Sequence, residues 1–193
     1  MTYRQGLEGA ADGYPDLVKT VVLDPAPVEV QQLIKRRHQL GLDLFDEMWE
    51  GTYHMAPAPR FGHADLDQQL AVLLDPLATQ AGLVTTGPFN LGQPDDFRVP
   101  DRGVHRGRPD PQAVYLDTAA AVIEIVSPDD ETHDKLPFYP AHKVDEVWIV
   151  DPAARHVQIL IRNSDHYQNA NTSPLLGART ADLDTHIRWP PAT

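Results

Sequence analysis

The sequence predicts a mixed α/β (α+β) chain, in which a central sheet is flanked by helices. Three observations predict it. Short runs rich in β-branched residues at 18–23, 83–86, 119–126, 146–150 and 157–161 outnumber the helical patterns. Two helical patterns, opening near Pro27 and Phe61, separate groups of strands. The run 119–126 is apolar on both faces, as a central strand covered on both sides is.

Each element has a local reason. Residues 1–17 are Gly-, Ala- and Asp-rich without a period, and read as a loose arm. The strand at 18–23 stops at Asp24-Pro25. Val30, Leu33, Ile34 and Leu40 recur at helical spacing until Gly41. Residues 42–55 read as a hairpin turning at Glu50-Gly51. Phe61, Leu66, Leu70, Leu73, Leu74 and Leu77 form one stripe of a long helix, with Pro76 disturbing its last turn and Gly82 stopping it. Phe97–Asp101 with Val104 suggests one short strand. The segment 129–143 is acidic, then aromatic, and partly helical. Strands at 146–150 and 157–161 flank a turn at 151–155. A single domain spans 18–170, followed by an irregular tail over 171–193.

Composition narrows the function classes. With 193 residues the chain can bury a full core without bridges or structural metal. It has no Cys, hence no disulfide, thiolate ligand or thiol nucleophile. No apolar run approaches the ~18 residues of a membrane span, and the first residues lack a signal-peptide apolar region, so a soluble cytoplasmic protein without membrane partners is the expectation. Asp and Glu number 28 against 16 Lys and Arg, a net charge of −12. Proteins that grip nucleic acid by its backbone usually carry a basic stripe. Here only Lys35-Arg36-Arg37 and Arg102, Arg106 and Arg108 cluster, so the acidic surplus argues against duplex DNA as partner and suits either solubility or carboxylates gathered around a cation. His54, His105, His133 and His142 have no zinc spacing, and neither a Gly-x-Ser-x-Gly elbow nor a phosphate-cradling Gly-rich loop is present.

Glu124 is the informative position. It stands within Ala121-Val122-Ile123-Glu124-Ile125-Val126, on the face of Val122 and Val126. A carboxylate there is costly unless ion-paired, hydrogen-bonded or bound to metal. Asp101, in Arg98-Val99-Pro100-Asp101, is a second acid after a short apolar segment. Either it completes a turn, or the two acids together hold a hard cation through oxygen. Trp148 and Tyr139 read as core.

Together these strings resemble a known family. Val99-Pro100-Asp101, then Val122-Ile123-Glu124-Ile125-Val126-Ser127-Pro128, then Asp134-Lys135 with Tyr139, then Glu146-Val147-Trp148-Ile149-Val150-Asp151-Pro152, resemble the Uma2 family. Glu47-Met48-Trp49-Glu50-Gly51 and Ala58-Pro59-Arg60-Phe61-Gly62-His63 resemble its upstream hairpin and helix entry. These are bacterial restriction-endonuclease-like proteins of the PD-(D/E)XK nuclease superfamily. The resemblance implies a restriction-endonuclease-like mixed sheet flanked by helices, and Mg²⁺- or Mn²⁺-dependent cleavage of DNA. It implies Asp101 and Glu124 as metal ligands, Glu47 as a further acid, and Lys135 as the cation near the attacking water. His63, at the start of the long helix, either faces this site from behind the ligands or is a surface or capping residue. The superfamily's Lys two residues after the Glu is Val126 here, and the resemblance implies that a lysine on the following helix replaces it, which makes Lys135 the candidate. The pattern is broken where Pro137 and Pro140 interrupt the expected helix, which would turn Lys135 away and leave Lys143 as the second choice, and where Arg102 suggests that a strand ends early. Two further readings stay open: a nuclease-fold module that binds without cleaving, such as a homodimer, and a metal-dependent hydrolase of a small phosphoester.

Overall fold

The computed structural model describes residues 20–22, 27–127 and 131–191. The loose arm expected at 1–17 lies outside them. Along the chain run strand β1 (Thr20–Val22), helix α1 (Val28–Gln39), strands β2 (Glu47–Trp49) and β3 (Thr52–Met55), helix α2 (Phe61–Gln80), and strands β4 (Val84–Thr86), β5 (Asn90–Gln93), β6 (Asp96–Arg98), β7 (Arg102–His105), β8 (Tyr115–Leu116) and β9 (Ala121–Ile125). A 3₁₀ turn (His133–Lys135) leads into the one-turn helix α3 (Phe138–Ala141). Strands β10 (Glu146–Asp151), β11 (His156–Asn163) and β12 (His166–Ala170) and helix α4 (Thr180–His186) complete the described chain.

The mixed α+β class is observed, with the strands divided between two six-stranded mixed sheets. One runs β1-β3-β2-β6-β5-β8, the other β12-β11-β10-β9-β7-β4. Strand β9 is central in the second sheet: it pairs in parallel with β10 and antiparallel with β7. Residues 97–104 read as one strand in sequence, yet they form two strands in different sheets. Pro100 has no N–H for a ladder, so the chain leaves β6 at Val99-Pro100 and enters β7 at Arg102. Arg102 therefore begins a strand rather than ending one. Its guanidinium reaches Asp67 of α2 at 2.6 Å.

Period-2 alternation assigns the two faces of β9. Ile123 and Ile125 pack with Leu66, Leu70, Leu74 and Ala78 of α2. Val122 packs on the opposite side with Tyr139, Val144, Val147 and Ile149. Phe61 heads the helical stripe in sequence but is 86% exposed, because it stands at the first helical residue, beyond the edge of the sheet that the later turns cover. Pro76 stays inside α2; it faces solvent, where the carbonyl left without its helical donor can meet water. The hairpin between β2 and β3 turns at Glu50 and Gly51, whose φ angles of 47° and 84° fit a mirror-image turn.

The irregular tail expected after residue 170 contains α4. Leu183 and Ile187 bury in the cluster that holds Trp148 and Leu66. A seven-residue helix with one apolar i,i+4 pair has too little period to stand out in sequence. The same segment satisfies buried Glu146, which accepts hydrogen bonds from Trp148 Nε1 (2.8 Å), Ser173 Oγ (2.7 Å) and Leu175 N (2.9 Å). Leu183→Ala is expected to cost about 2–4 kcal/mol. Denaturant unfolding checks this; an irregular tail would show no loss.

Candidate active site at the junction of the two sheets

The crossing from β6 to β7 places Asp101 beside the C-terminal end of β9. Its Oδ2 accepts the backbone N–H of Ile125 at 2.7 Å. Its Oδ1 lies 2.8 Å from His63 Nε2, at the start of α2. A carboxylate only accepts, so Nε2 carries the hydrogen, while Nδ1 lies 3.2 Å from Ser127 Oγ. His63 thereby fixes the rotamer of Asp101 from the next element.

Glu124 points away from α2, into the space between β9 and α3. Its Oε1 accepts from the Tyr139 hydroxyl, and its Oε2 lies 3.1 Å from Lys135 Nζ. Lys135 Nζ is also 2.9 Å from Glu47 Oε1. Glu47 comes from β2 of the other sheet. Its Oε1 accepts Val99 N–H at 2.8 Å and its Oε2 accepts Trp49 Nε1–H at 2.6 Å. One ammonium thus bridges carboxylates from both sheets.

The two prolines do not turn Lys135 away. Pro137 sits at the N-cap of α3 and Pro140 at its third residue, where no intrahelical donor is lost. Because α3 begins only at Phe138, Pro140 has no full helical turn before it to break. Lys143 is exposed and does not line the site.

The electrostatics follow from burial. Desolvation pushes the Glu124 carboxyl up, to about 8; the Lys135 ammonium opposes this, while Asp101 and Glu47 add to it. Desolvation pulls Lys135 down, but Glu124 and Glu47 outweigh it, so Lys135 is held above its ordinary value and stays charged. Burial, reinforced by Glu124, raises Tyr139, which keeps its hydroxyl a donor.

These groups line a pocket of about 390 Å³. Asp101, Glu124, Glu47, Lys135 and His63 converge there. Among the described residues no three His, Asp or Glu side chains form a closed metal cage. The donors for a cation are hard carboxylate oxygens of Asp101 and Glu124, each already holding hydrogen bonds on its oxygens but retaining lone pairs. That set suits a hard ion keeping several waters, as Mg²⁺ does with one or two carboxylates.

Tyr139 reads as plain core in sequence and is fully buried, yet its hydroxyl serves Glu124. Its spacing of four from Lys135 was the available signal, since the two positions share one helical side. His54 and Glu131 carried no such signal. They meet at 2.8 Å across 77 residues, and His54 stacks on Trp49 at 4.3 Å.

A family model described as "Putative restriction endonuclease" matches residues 40–186. The chain belongs to the Uma2 family. A crystal structure from Anabaena variabilis ATCC 29413, described as "a putative nuclease belonging to DUF820", is similar to it in fold, with a TM-score of 0.59. The two are 19% identical, and the match covers 73% of this chain and 90% of that one. No curated protein matches. In this Uma2 chain the matched range contains Glu47, His63, Asp101, Glu124 and Lys135. Among the described residues no helix is long and apolar enough to cross a membrane.

Burial makes a pH prediction. Glu124 binds its proton more tightly folded than unfolded, since its pKa rises from 4.5 to about 8. Its contribution to stability is therefore complete below about pH 4.5 and is lost as pH climbs toward 8. In metal-free buffer, Glu124→Gln is expected to flatten that decline. Urea midpoints across the interval, for both proteins, would measure it; equal slopes would refute the assignment.

Proposed function

We propose that this Uma2 protein is a metal-dependent nuclease that hydrolyses phosphodiester bonds of DNA. The observation that carries the reading is the convergence of Asp101, Glu124 and Lys135, from three separate elements, on one pocket. Asp101 and Glu124 would hold Mg²⁺ or Mn²⁺, with Glu47 as the further acid. When bound, such an ion stabilises charge on the phosphoryl group and favours ionisation of water.

The protein's own groups have distinct tasks. Lys135 brings a permanent positive charge to a partly dry pocket, where it offsets negative charge growing on the phosphoryl oxygens. Glu47 and Glu124 keep its ammonium in place. Tyr139 donates to Glu124 and restricts its rotamer. His63 and the N–H of Ile125 orient Asp101. Hydrolysis consumes one water: its oxygen bonds to phosphorus, the P–O ester bond breaks, and the leaving oxygen takes a proton.

The net charge of −12 favours a second reading, hydrolysis of a small phosphoester. Incubation of the purified chain with plasmid DNA and with bis(p-nitrophenyl) phosphate, in Mg²⁺, Mn²⁺ or EDTA, separates the two. Metal-dependent DNA cleavage is expected. Asp101→Ala and Glu124→Ala should abolish it. Lys135→Met should slow it by about 10²–10³, and His63→Ala by about 10–100-fold. Cleavage by both carboxylate variants at the wild-type rate would overturn the proposal.

A further inference from the structure

The shape and lining of the pocket bear on which nucleic acid can reach its acids. Glu124 and Glu47 are only 3% and 6% exposed, so a scissile phosphate must enter the pocket to meet them. The pocket, about 390 Å³, lies toward the lower end of ligand-site volumes. A stiff duplex presents its phosphates along its surface, whereas an unpaired strand can bend a phosphate into such a recess.

The walls are mostly apolar: Phe45, Met55, Pro57, Leu66 and Val99 line it alongside the acids. Apolar walls complement the faces of unpaired bases better than they complement a charged double backbone. Arg60 and Gly62 line the pocket, and Phe61 stands between them in the chain, at the first residue of α2. At 86% exposure it is the most exposed large apolar side chain among the described residues. Nothing in the described fold uses this ring. Arg60 is exposed beside it, and its guanidinium has no hydrogen bond or ion pair with a described residue. A flat aromatic face, a cation next to it and a narrow apolar entrance are the parts of a single-strand platform.

Building on the nuclease reading, we infer that the substrate enters this pocket as a single strand, with Phe61 stacking an unpaired base at the mouth and Arg60 meeting the adjoining phosphate. The overall charge of −12 fits this better than duplex binding, because stacking supplies affinity that a basic groove would otherwise provide. The two basic clusters read in the sequence are not needed for it.

Fluorescence anisotropy tests the inference with labelled oligothymidine and a duplex of equal length, in EDTA and in Mg²⁺. Wild type is expected to bind the single strand more tightly than the duplex. Phe61→Ala should weaken single-strand binding about tenfold or more, leaving the duplex value and the melting temperature unchanged, since the ring packs on no core. Arg60→Ala should reduce the salt dependence of single-strand binding. Equal affinity for the two forms overturns the inference. So does an unchanged Phe61→Ala variant, or one in which only self-association is lost. Cleavage assays on the same oligonucleotides keep the two proposals apart. Equal cleavage of duplex and single strand defeats the single-strand inference and leaves the nuclease standing. Preferred single-strand binding without cleavage in any metal supports the platform and defeats the nuclease.

Discussion

A single ammonium shared by two buried carboxylates organises this molecule's site. Lys135 lies within 3.1 Å of both Glu47 and Glu124, and those two acids belong to different sheets. Without the lysine, two carboxylates and the nearby Asp101 would repel one another in a region of low dielectric. With it, an acid is tolerated in the middle of an apolar strand. The arrangement stabilises less than an apolar core of the same volume would, which is the usual condition of sites kept for chemistry.

The sheet junction explains why the acids meet. Pro100 cannot donate to a ladder, so the chain changes sheets at Val99-Pro100, and the next residue, Asp101, arrives at the end of β9. The Val99 N–H just before the crossing is taken by Glu47, which ties the β2–β3 hairpin to the same point. Backbone hydrogen bonds to carboxylates thus pin the two ends of the crossing, Val99 to Glu47 on one sheet and Ile125 to Asp101 on the other. Two acids are oriented by a group from another element, His63 for Asp101 and Tyr139 for Glu124, while Glu47 is held by Trp49 of its own strand. Arg60, at the N-cap of α2, lines the same pocket, and Phe61 follows it as the first helical residue.

Much of this was legible beforehand, and the parts that were not share a cause. Glu124 declared itself because a carboxylate in a doubly covered strand needs a partner. The partner's identity needed the fold: Lys135 is 11 residues away, just before two prolines that argue for a broken helix, and only the brevity of α3 makes those prolines harmless. The long helix α2 was readable from its leucine stripe, while the exposure of Phe61 was not, since periodicity cannot say where a sheet stops covering a helix. Helix α4 was missed because two apolar residues make no period, although Leu183 and Ile187 sit in the main core.

By itself the sequence determined the class of the fold, the central apolar strand with its anomalous acid, and a string of motifs that resemble the Uma2 family. These are properties of neighbouring residues, and local patterning carries them. Tertiary structure alone decided the division of the strands into two sheets, the meeting of Glu47 with Lys135 across 88 positions, the contacts of Tyr139 with Glu124 and of His63 with Asp101, and the lining of the pocket. Each depends on distances between residues remote in the chain, and those are set by how sheets and helices pack.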